Sequence, residues 1–565
     1  MLAIKKGGSI TMASHLIMAF LFAVSVFPAA LNAQQPLIEE LDKYLQACHE
    51  VYNFHGAVLI GKDGQVFYKK GIGMADIELG VPNTTEMKFQ IGSITKQFTA
   101  TAIMQLAERG LLSVDDPITK HLTDYPSETG DKITIHHLLT HTSGVTSYTS
   151  MPDVMERRAV EITLEKLLAL FKDLPLEFEP GTKFNYSNSG YIILGAIIEE
   201  VSGMQYEDYM RENIFEPLGM ENTGYCHRDI ILKNRACGYT ENEEDELINA
   251  GYVHMSVPFS AGALYSTVED MFIWDQALYT EKILSRESLE KMFTPFLNDY
   301  GYGWGISEVM GHKLIAHGGG IDGFATQIQR WIEDSGCVVV FSNNEVAGPD
   351  QIAMGLAAIM AGEPYEIPVE KIPIAMADDK LREYVGVFKV NDTEYRIISF
   401  EADQLYSQRS GRARIAIYPE AEDNFFYDHD HHVTLKFNRD QSGEIVSHTI
   451  YQNFDYSDAQ KVGENEANEV LEAMRPAEID PALLEKYAGA YELNPNFIMN
   501  VLNKDDKLFI QAGNYPELEI IARSENEFNN PDHGVNITFN VDNNGKVISL
   551  VFQQGNTKMT GKKIE

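Results

Sequence analysis

Apolar positions recur at helical spacing near the start of the chain, at Leu37, Leu41, Tyr44, Leu45 and Cys48, which predicts a helix over about 37–51. Ala57-Val58-Leu59-Ile60, a Lys62-Asp63-Gly64 turn and Val66-Phe67-Tyr68 then predict a β-hairpin. Helical periods dominate from there to about residue 362. In one of them Phe98, Ala102 and Leu106 share a face, the helix ends near Glu108, and Gly110 terminates it. Val338-Val339-Val340-Phe341 is a buried strand, and a helix follows at about 350–361. Strands at both ends of a helical region predict one α/β (α+β) domain over residues 34–362.

Pro364, Pro368 and Pro373 then mark a linker, 363–380. Beyond it the pattern changes to short alternating strands, and it repeats. Tyr384-Val385-Gly386-Val387-Phe388 matches Tyr487-Ala488-Gly489-Ala490-Tyr491, and Leu405-Tyr406 matches Leu508-Phe509. Tyr418-Pro419 matches Tyr515-Pro516, and 437–443 matches 539–545; the four offsets are 103, 103, 97 and 102 residues. Each copy has room for seven or eight strands. Closure into a small antiparallel barrel removes exposed strand edges, so residues 381–458 and 483–565 are predicted as two barrels. Between them, the acidic stretch 459–482 reads as a helical or irregular linker.

One apolar run stands apart. Lys5 and Lys6 precede a hydrophobic stretch at about 16–30, and Ala33 sits at a plausible cleavage point. This is the order of a secretory signal over residues 1–33, and the run is short for a membrane span. An uncleaved anchor helix is the alternative. No Cys follows closely enough for lipid attachment. The expectation is an exported protein, periplasmic or secreted, with no span after cleavage. In that oxidising setting Cys226 and Cys237 are near enough in sequence to pair, or to remain free thiols. Asp+Glu total 83 against 45 Lys+Arg, a formal charge of −38, which repels nucleic acid and anionic lipid and excludes both as partners.

The candidate chemistry begins at Gly92-Ser93-Ile94-Thr95-Lys96. A Ser and a Lys three apart share one helix face, and the N-terminal field of the helix favours an alkoxide. Ser93 reads equally well as a helix N-cap, and Ser288-Leu289-Glu290-Lys291 has the same spacing. Tyr186-Ser187-Asn188 follows Pro180-Gly181 and precedes an apolar helix. A loop Tyr acts as a base where cations lower its pKa; the alternatives are a packed aromatic and a capping Asn. Tyr451-Gln452-Asn453 is a second such triplet. The third element is His317-Gly318-Gly319-Gly320 after Leu314-Ile315-Ala316. Small residues on that strand let a substrate backbone approach its edge, and a core histidine is the other reading of His317.

In this order the three motifs resemble those of the class C β-lactamase-like serine hydrolases, a superfamily that includes penicillin-binding proteins, D-aminopeptidases and esterases. Ile133-Thr134-Ile135-His136-His137-Leu138-Leu139-Thr140-His141-Thr142-Ser143-Gly144 is similar to the family's "HLLTHTSG" signature, and Ala261-Gly262-Ala263-Leu264-Tyr265-Ser266-Thr267 to its "GGLYST" turn. The resemblance covers about residues 36–360. It implies a β-lactamase/transpeptidase-like domain, with an antiparallel sheet flanked by helices. It implies Ser93 as nucleophile and Lys96 and Tyr186 as proton carriers, with Tyr186 in first place as base. It implies Asn188 as the residue that orients substrate and lysine, and the backbone N–H groups of Ser93 and Gly320 as the oxyanion hole. His317 stands where many relatives have a Lys. A His is charged for only part of the time, which weakens the case for a dedicated β-lactamase. The barrels resemble, more loosely, the lipocalin-like domains behind some D-aminopeptidases, which would shape the entrance to the site.

The expectation is a serine hydrolase that forms an acyl-enzyme on Ser93 without metal or cofactor. Its substrate would be a short peptide, including D-amino-acid peptides, or an ester. A carboxylesterase, a β-lactamase and a penicillin sensor that acylates without turnover are the alternatives. Asp428-His429-Asp430-His431-His432 invites a metal reading, but an exposed polar edge explains it better, so no metal is expected. Residues 241–246 read as a solvated acidic loop. No oligomeric state follows from the sequence.

Overall fold

The structure is a computed structural model. It describes residues 35–564, apart from 243–245, 310, 334, 411, 428–429, 453–454, 474, 476, 478, 495–496, 514–515, 543 and 555–556. The signal-like stretch 1–33 therefore lies outside the described residues. The chain divides into two units, Met1–Val369 and Glu370–Glu565.

In the first unit a helix α1 (35–52) leads into strands β1 (Gly56–Lys62) and β2 (Gln65–Ile72). Asp63 and Gly64 both have positive φ (51° and 74°), and Lys62 faces Gln65, so the hairpin closes through a two-residue turn of the kind that matches strand twist. The helices that matter below are α2 (Thr95–Glu108), α3 (Asn188–Ser202) and α4 (Val268–Ala277). Four strands follow: β3 (Gly305–Val309), β4 (His312–Ile321), β5 (Phe324–Trp331) and β6 (Gly336–Ser342). Helix α5 (Pro349–Ala361) closes the unit.

The sheet order is β3-β4-β5-β6-β1-β2, antiparallel throughout. The N-terminal hairpin docks on the late strand β6, with Val58 opposite Val340 and Leu59 opposite Val339. Every residue of β5 is buried, as a central strand covered on both faces requires. Ala57, Leu59, Val339 and Phe341 join Phe98 and Trp274 in the main core.

That core holds a buried ion pair. Arg330 Nε on β5 donates to Asp275 Oδ1 on α4 at 2.6 Å, and both side chains are almost fully buried (1% and 0% exposed). The guanidinium packs against the rings of Tyr279, Phe293 and Trp304.

The second unit contains two closed eight-stranded antiparallel barrels. The first runs from Gly386–Lys389 to Asp455–Lys461 and closes at Phe388 opposite Lys461. The second runs from Gly489–Asn494 to Thr557–Lys563 and closes at Tyr491 opposite Lys563. The opening Tyr of each repeat plugs its barrel. Tyr384 packs on Phe425 and Phe437, and Tyr487 on Phe528 and Phe539. The last strand of the first barrel runs three residues past 458, and the stretch after it forms helices Glu464–Ala473 and Pro481–Tyr487.

The structure bears on three of these readings. Leu405 faces Ile417 in one barrel and Leu508 faces Ile520 in the other, an offset of 103 that carries Tyr418 to Ile521. The Tyr-Pro match at offset 97 is thus no structural equivalence, because it would need a six-residue slip of one strand. All four cysteines are free, and Cys237 Sγ contacts Asp76 Oδ2 rather than Cys226. The histidine-rich segment is not one continuous strand: a strand ends at Tyr427 and the next begins at Asp430, with 428–429 outside the described residues. Among the described residues no three His, Cys, Asp or Glu gather as metal ligands, and no helix is long and apolar enough to cross a membrane.

Removing one partner of a buried ion pair leaves the other charge stranded. Asp275→Ala is expected to lower the stability of the first unit by about 3–5 kcal/mol, read from urea unfolding followed by the fluorescence of Trp274, Trp304 and Trp331.

Candidate active site

Ser93 lies in a 3₁₀ turn, Gly92–Ile94, that runs directly into α2. Neither the turn nor α2 has a side-chain cap, so Ser93 is not an N-cap. Its hydroxyl instead faces Lys96, one turn on, at 2.9 Å from Nζ. Tyr186 hydrogen-bonds Ser93 from the loop before α3. The N-cap of α3 is Ser187, which accepts from the Gly190 N–H. Asn188 is thereby released from capping. Its Nδ2 donates to Thr149 Oγ1 and its Oδ1 accepts from Lys96 Nζ at 2.9 Å.

Lys96 is fully buried, and among the described residues no carboxylate pairs with it. Its Nζ makes a third contact, at 2.8 Å, with the carbonyl of Ala261 in the "GGLYST"-like turn, and it lies 5.0 Å from the centre of the Tyr186 ring. Desolvation holds its pKa well below the usual 10.5. Asn188 Oδ1 and Ala261 O can only accept. A neutral amine spends both hydrogens on them and turns its lone pair toward Ser93 Oγ.

Burial acts on Tyr186 in the opposite sense and raises the phenol pKa, with the Ser93 hydrogen bond opposing it. Tyr186 therefore rests as a neutral O–H that donates to Ser93 Oγ. The sequence placed Tyr186 first as base. Burial thus moves the pKa values of Lys96 and Tyr186 in opposite directions.

The "HLLTHTSG"-like segment is the brace for the tyrosine loop. Thr134 caps helix Ile135–Leu139 with a capping box. His141 follows at φ +56°, 1% exposed. Its carbonyl accepts from the Asn185 N–H and its Nδ1 from the Ser187 N–H, while Thr142 O accepts from the Gly181 N–H. The His141 ring lies 4.1 Å from the Tyr186 ring, centre to centre.

His317 is half-buried on β4, and β3 pairs with β4 only as far as Ala316. The edge from His317 to Gly320 is therefore open on that side. Gly318 and Gly320 are exposed, while Gly319 is buried against the nucleophile turn. A Cβ on Gly319 would meet Ile91 O at 2.0 Å, and one on Gly92 would meet Gly320 N at 2.9 Å. The glycines thus let strand and turn touch through backbone, which brings Gly320 beside Ser93.

His317 Nδ1 donates to Gly318 O at 2.6 Å, so its Nε2 accepts from the Tyr300 hydroxyl at 2.8 Å. Burial and the Lys96 charge pull the imidazole pKa down to about 4. His317 is neutral at neutral pH. The structure adds three groups that sequence reasoning missed: Tyr300, Thr149 and the Ala261 carbonyl. The one signal for Tyr300 was its place in the glycine-aromatic run Tyr300-Gly301-Tyr302-Gly303-Trp304 before β3. The second Ser-x-x-Lys sequence is inert: Ser288 Oγ accepts from Ser285, inside helix Arg286–Met292.

Comparison with known proteins bears on family and fold. The family described as Beta-lactamase matches residues 41–360, and a domain of unknown function, DUF3471, matches 473–565. The chain is 30% identical over 420 residues to penicillin-binding protein 4* of Bacillus subtilis (strain 168), covering 69% of this chain and 91% of that protein. Its fold is similar to the octameric penicillin-binding protein homologue from Pyrococcus abyssi (TM-score 0.54, 29% identity, 75% of this chain and 100% of that one). It is also similar to a D-stereospecific amidohydrolase from Streptomyces sp. (TM-score 0.50, 26% identity, 57% and 99%).

Gly92 has a positive φ of 48° and no room for a side chain. Gly92→Ala is expected to cost about 1–3 kcal/mol and to push Gly320 away from Ser93, seen as a lower melting temperature together with lost hydrolytic turnover.

Proposed function

The chain belongs to the Beta-lactamase family, a family of serine hydrolases, and from that premise we propose that it is an exported hydrolase of short amide substrates, D-amino-acid derivatives among them. The observation that carries the chemistry is the buried Lys96, which shares its three contacts among Ser93, Asn188 and Ala261. Ser93 Oγ attacks the substrate carbonyl carbon while its proton passes to Lys96 Nζ. The developing oxyanion is met by the backbone N–H groups of Ser93 and Gly320; losing one such donor typically costs about 3–4 kcal/mol in the transition state. As the C–N bond breaks, the neutral Tyr186 phenol gives its proton to the leaving amine, and the proton held by Lys96 replaces it. Water then attacks the acyl-enzyme along the reverse proton path and frees Ser93.

Substrate class follows from what the site lacks. His317 is uncharged at neutral pH and Lys96 is enclosed, so among the described catalytic groups no fixed cation faces a substrate carboxylate. This favours amides and esters without a carboxylate beside the scissile bond over β-lactams. The open edge from His317 to Gly320 suits an extended backbone. Likeness to a D-stereospecific amidohydrolase supports the amide and the D configuration. The same uncharged His317 supports a carboxylesterase as the second reading. Export rests on the signal-like order of residues 1–33.

A fluorophosphonate is expected to add once to the wild type and not to Ser93→Ala, by intact mass. D-alanine p-nitroanilide should turn over faster than its L isomer and faster than nitrocefin. Turnover of p-nitrophenyl acetate far above that of the anilide would transfer the assignment to the esterase. No adduct on folded protein would overturn both readings.

The pH profile tests the base. Lys96 must be deprotonated to accept the serine proton, so kcat/KM should rise with pH through a pKa well below 10.5. Lys96→Arg, which stays protonated, should lower kcat/KM by about 10²–10⁴-fold with no recovery at high pH. His317, already neutral above about pH 4, should add no inflection between pH 6 and 7.

A further inference from the structure

The two barrels have the same register, so their interiors can be compared position by position. Arg396 faces Arg409, Ile398 faces Ser407 and Phe437 faces His448 in the first. Met499 faces Ala512, Val501 faces Ile510 and Phe539 faces Leu550 in the second. Where the second barrel has Met499, Ile510 and Leu550, the first has Arg396, Ser407 and His448.

Arg396, Ser407 and Tyr427 form one hydrogen-bonded cluster, and part of the hydrogen-bonding capacity of Arg396 and of His448 is unmet among the described residues. Arg396 Nη1 donates to Ser407 Oγ at 2.9 Å and to the Tyr427 hydroxyl at 2.8 Å, and the two hydroxyls lie 2.9 Å apart. Arg396 Nε is buried without a partner, and among the described residues no carboxylate pairs with the guanidinium. Nε lies on the edge that grips an oxyanion with two parallel bonds, and it makes no bond to the described residues. His448 is 1% exposed, lies against the Phe388 and Phe437 rings, and has no partner on either ring nitrogen. Arg409, by contrast, is paired with Glu394.

Desolvating a guanidinium without a counter-ion is unfavourable. The barrel does not need it to close, because its twin closes around Met499. In a chain of charge −38, the uncompensated cation inside one barrel is a feature that folding alone does not require.

We propose that the first barrel binds a small molecule through an oxyanion, carboxylate or phosphate, held by Arg396 and His448 with Tyr427 alongside. A small eight-stranded barrel is nearly filled by its own side chains, so the occupant is a head group and not a long chain. The second barrel, apolar where the first has Arg396, Ser407 and His448, does not bind it.

The test is calorimetry on the full chain with three probes: N-acetyl-alanine, inorganic phosphate and the neutral N-acetyl-alanine amide. The wild type is expected to bind one equivalent of at least one oxyanion and not the amide; whichever binds identifies the head group. Arg396→Met and His448→Leu install residues that the twin barrel already tolerates. Each is expected to weaken binding at least tenfold while melting, without ligand, at or above the wild-type temperature. Three results would overturn the site: no binding of either oxyanion, binding undiminished in Arg396→Met, or an Arg396→Met protein that melts lower, which would make Arg396 a structural strut.

Discussion

A lysine side chain enclosed without a counter-ion is the constraint on which the first unit is organised. Lys96 lies on the buried face of α2, and its environment supplies carbonyl oxygens and a hydroxyl but no carboxylate among the described residues. A carboxylate there would stabilise the charged form and abolish the base. Neutral acceptors leave a desolvated amine whose lone pair has one direction to go, toward Ser93. Each of its fixed acceptors comes from a different part of the chain, the start of α3 and the short helix Phe259–Gly262. The helices must therefore pack in register for the amine to be held.

The same economy explains the glycines and the "HLLTHTSG"-like segment. Gly92 and Gly319 are small because turn and strand meet through backbone, and any Cβ would separate Ser93 from Gly320. His141 is inward-facing and far from charged at neutral pH, since burial pulls its pKa well below 6.5. It acts as a hydrogen-bond acceptor and a ring surface that fix the Tyr186 loop. Its Nε2 has no partner among the described residues, a buried unmet donor beside Tyr186.

The barrels show how a duplicated scaffold separates stability from function. Both copies keep the aromatic plug, Tyr384 with Phe425 and Phe437 in one and Tyr487 with Phe528 and Phe539 in the other. That cluster is common to both closed barrels. Positions that differ between the copies at equal register are then free to carry something other than packing, and the polar set around Arg396 lies at such positions.

Much of this was legible in the sequence because local signals agreed with the fold. The Asp63-Gly64 turn, the helical periods, the domain boundary near the proline cluster and the two repeats are properties of neighbouring residues. Ser93, Lys96, Tyr186, Asn188 and His317 were legible as motif residues, because their spacing sets which face or strand carries them. Tertiary structure alone decided what each does. The pKa values of Lys96 and Tyr186 move in opposite directions because burial penalises whichever form is charged, and burial is a property of the packed core. Tyr300 reaches His317 across a turn that no spacing rule marks. The unpaired Arg396 emerges only when two strands are laid in register with their counterparts in the second barrel, since a charge is uncompensated only with respect to what surrounds it in space.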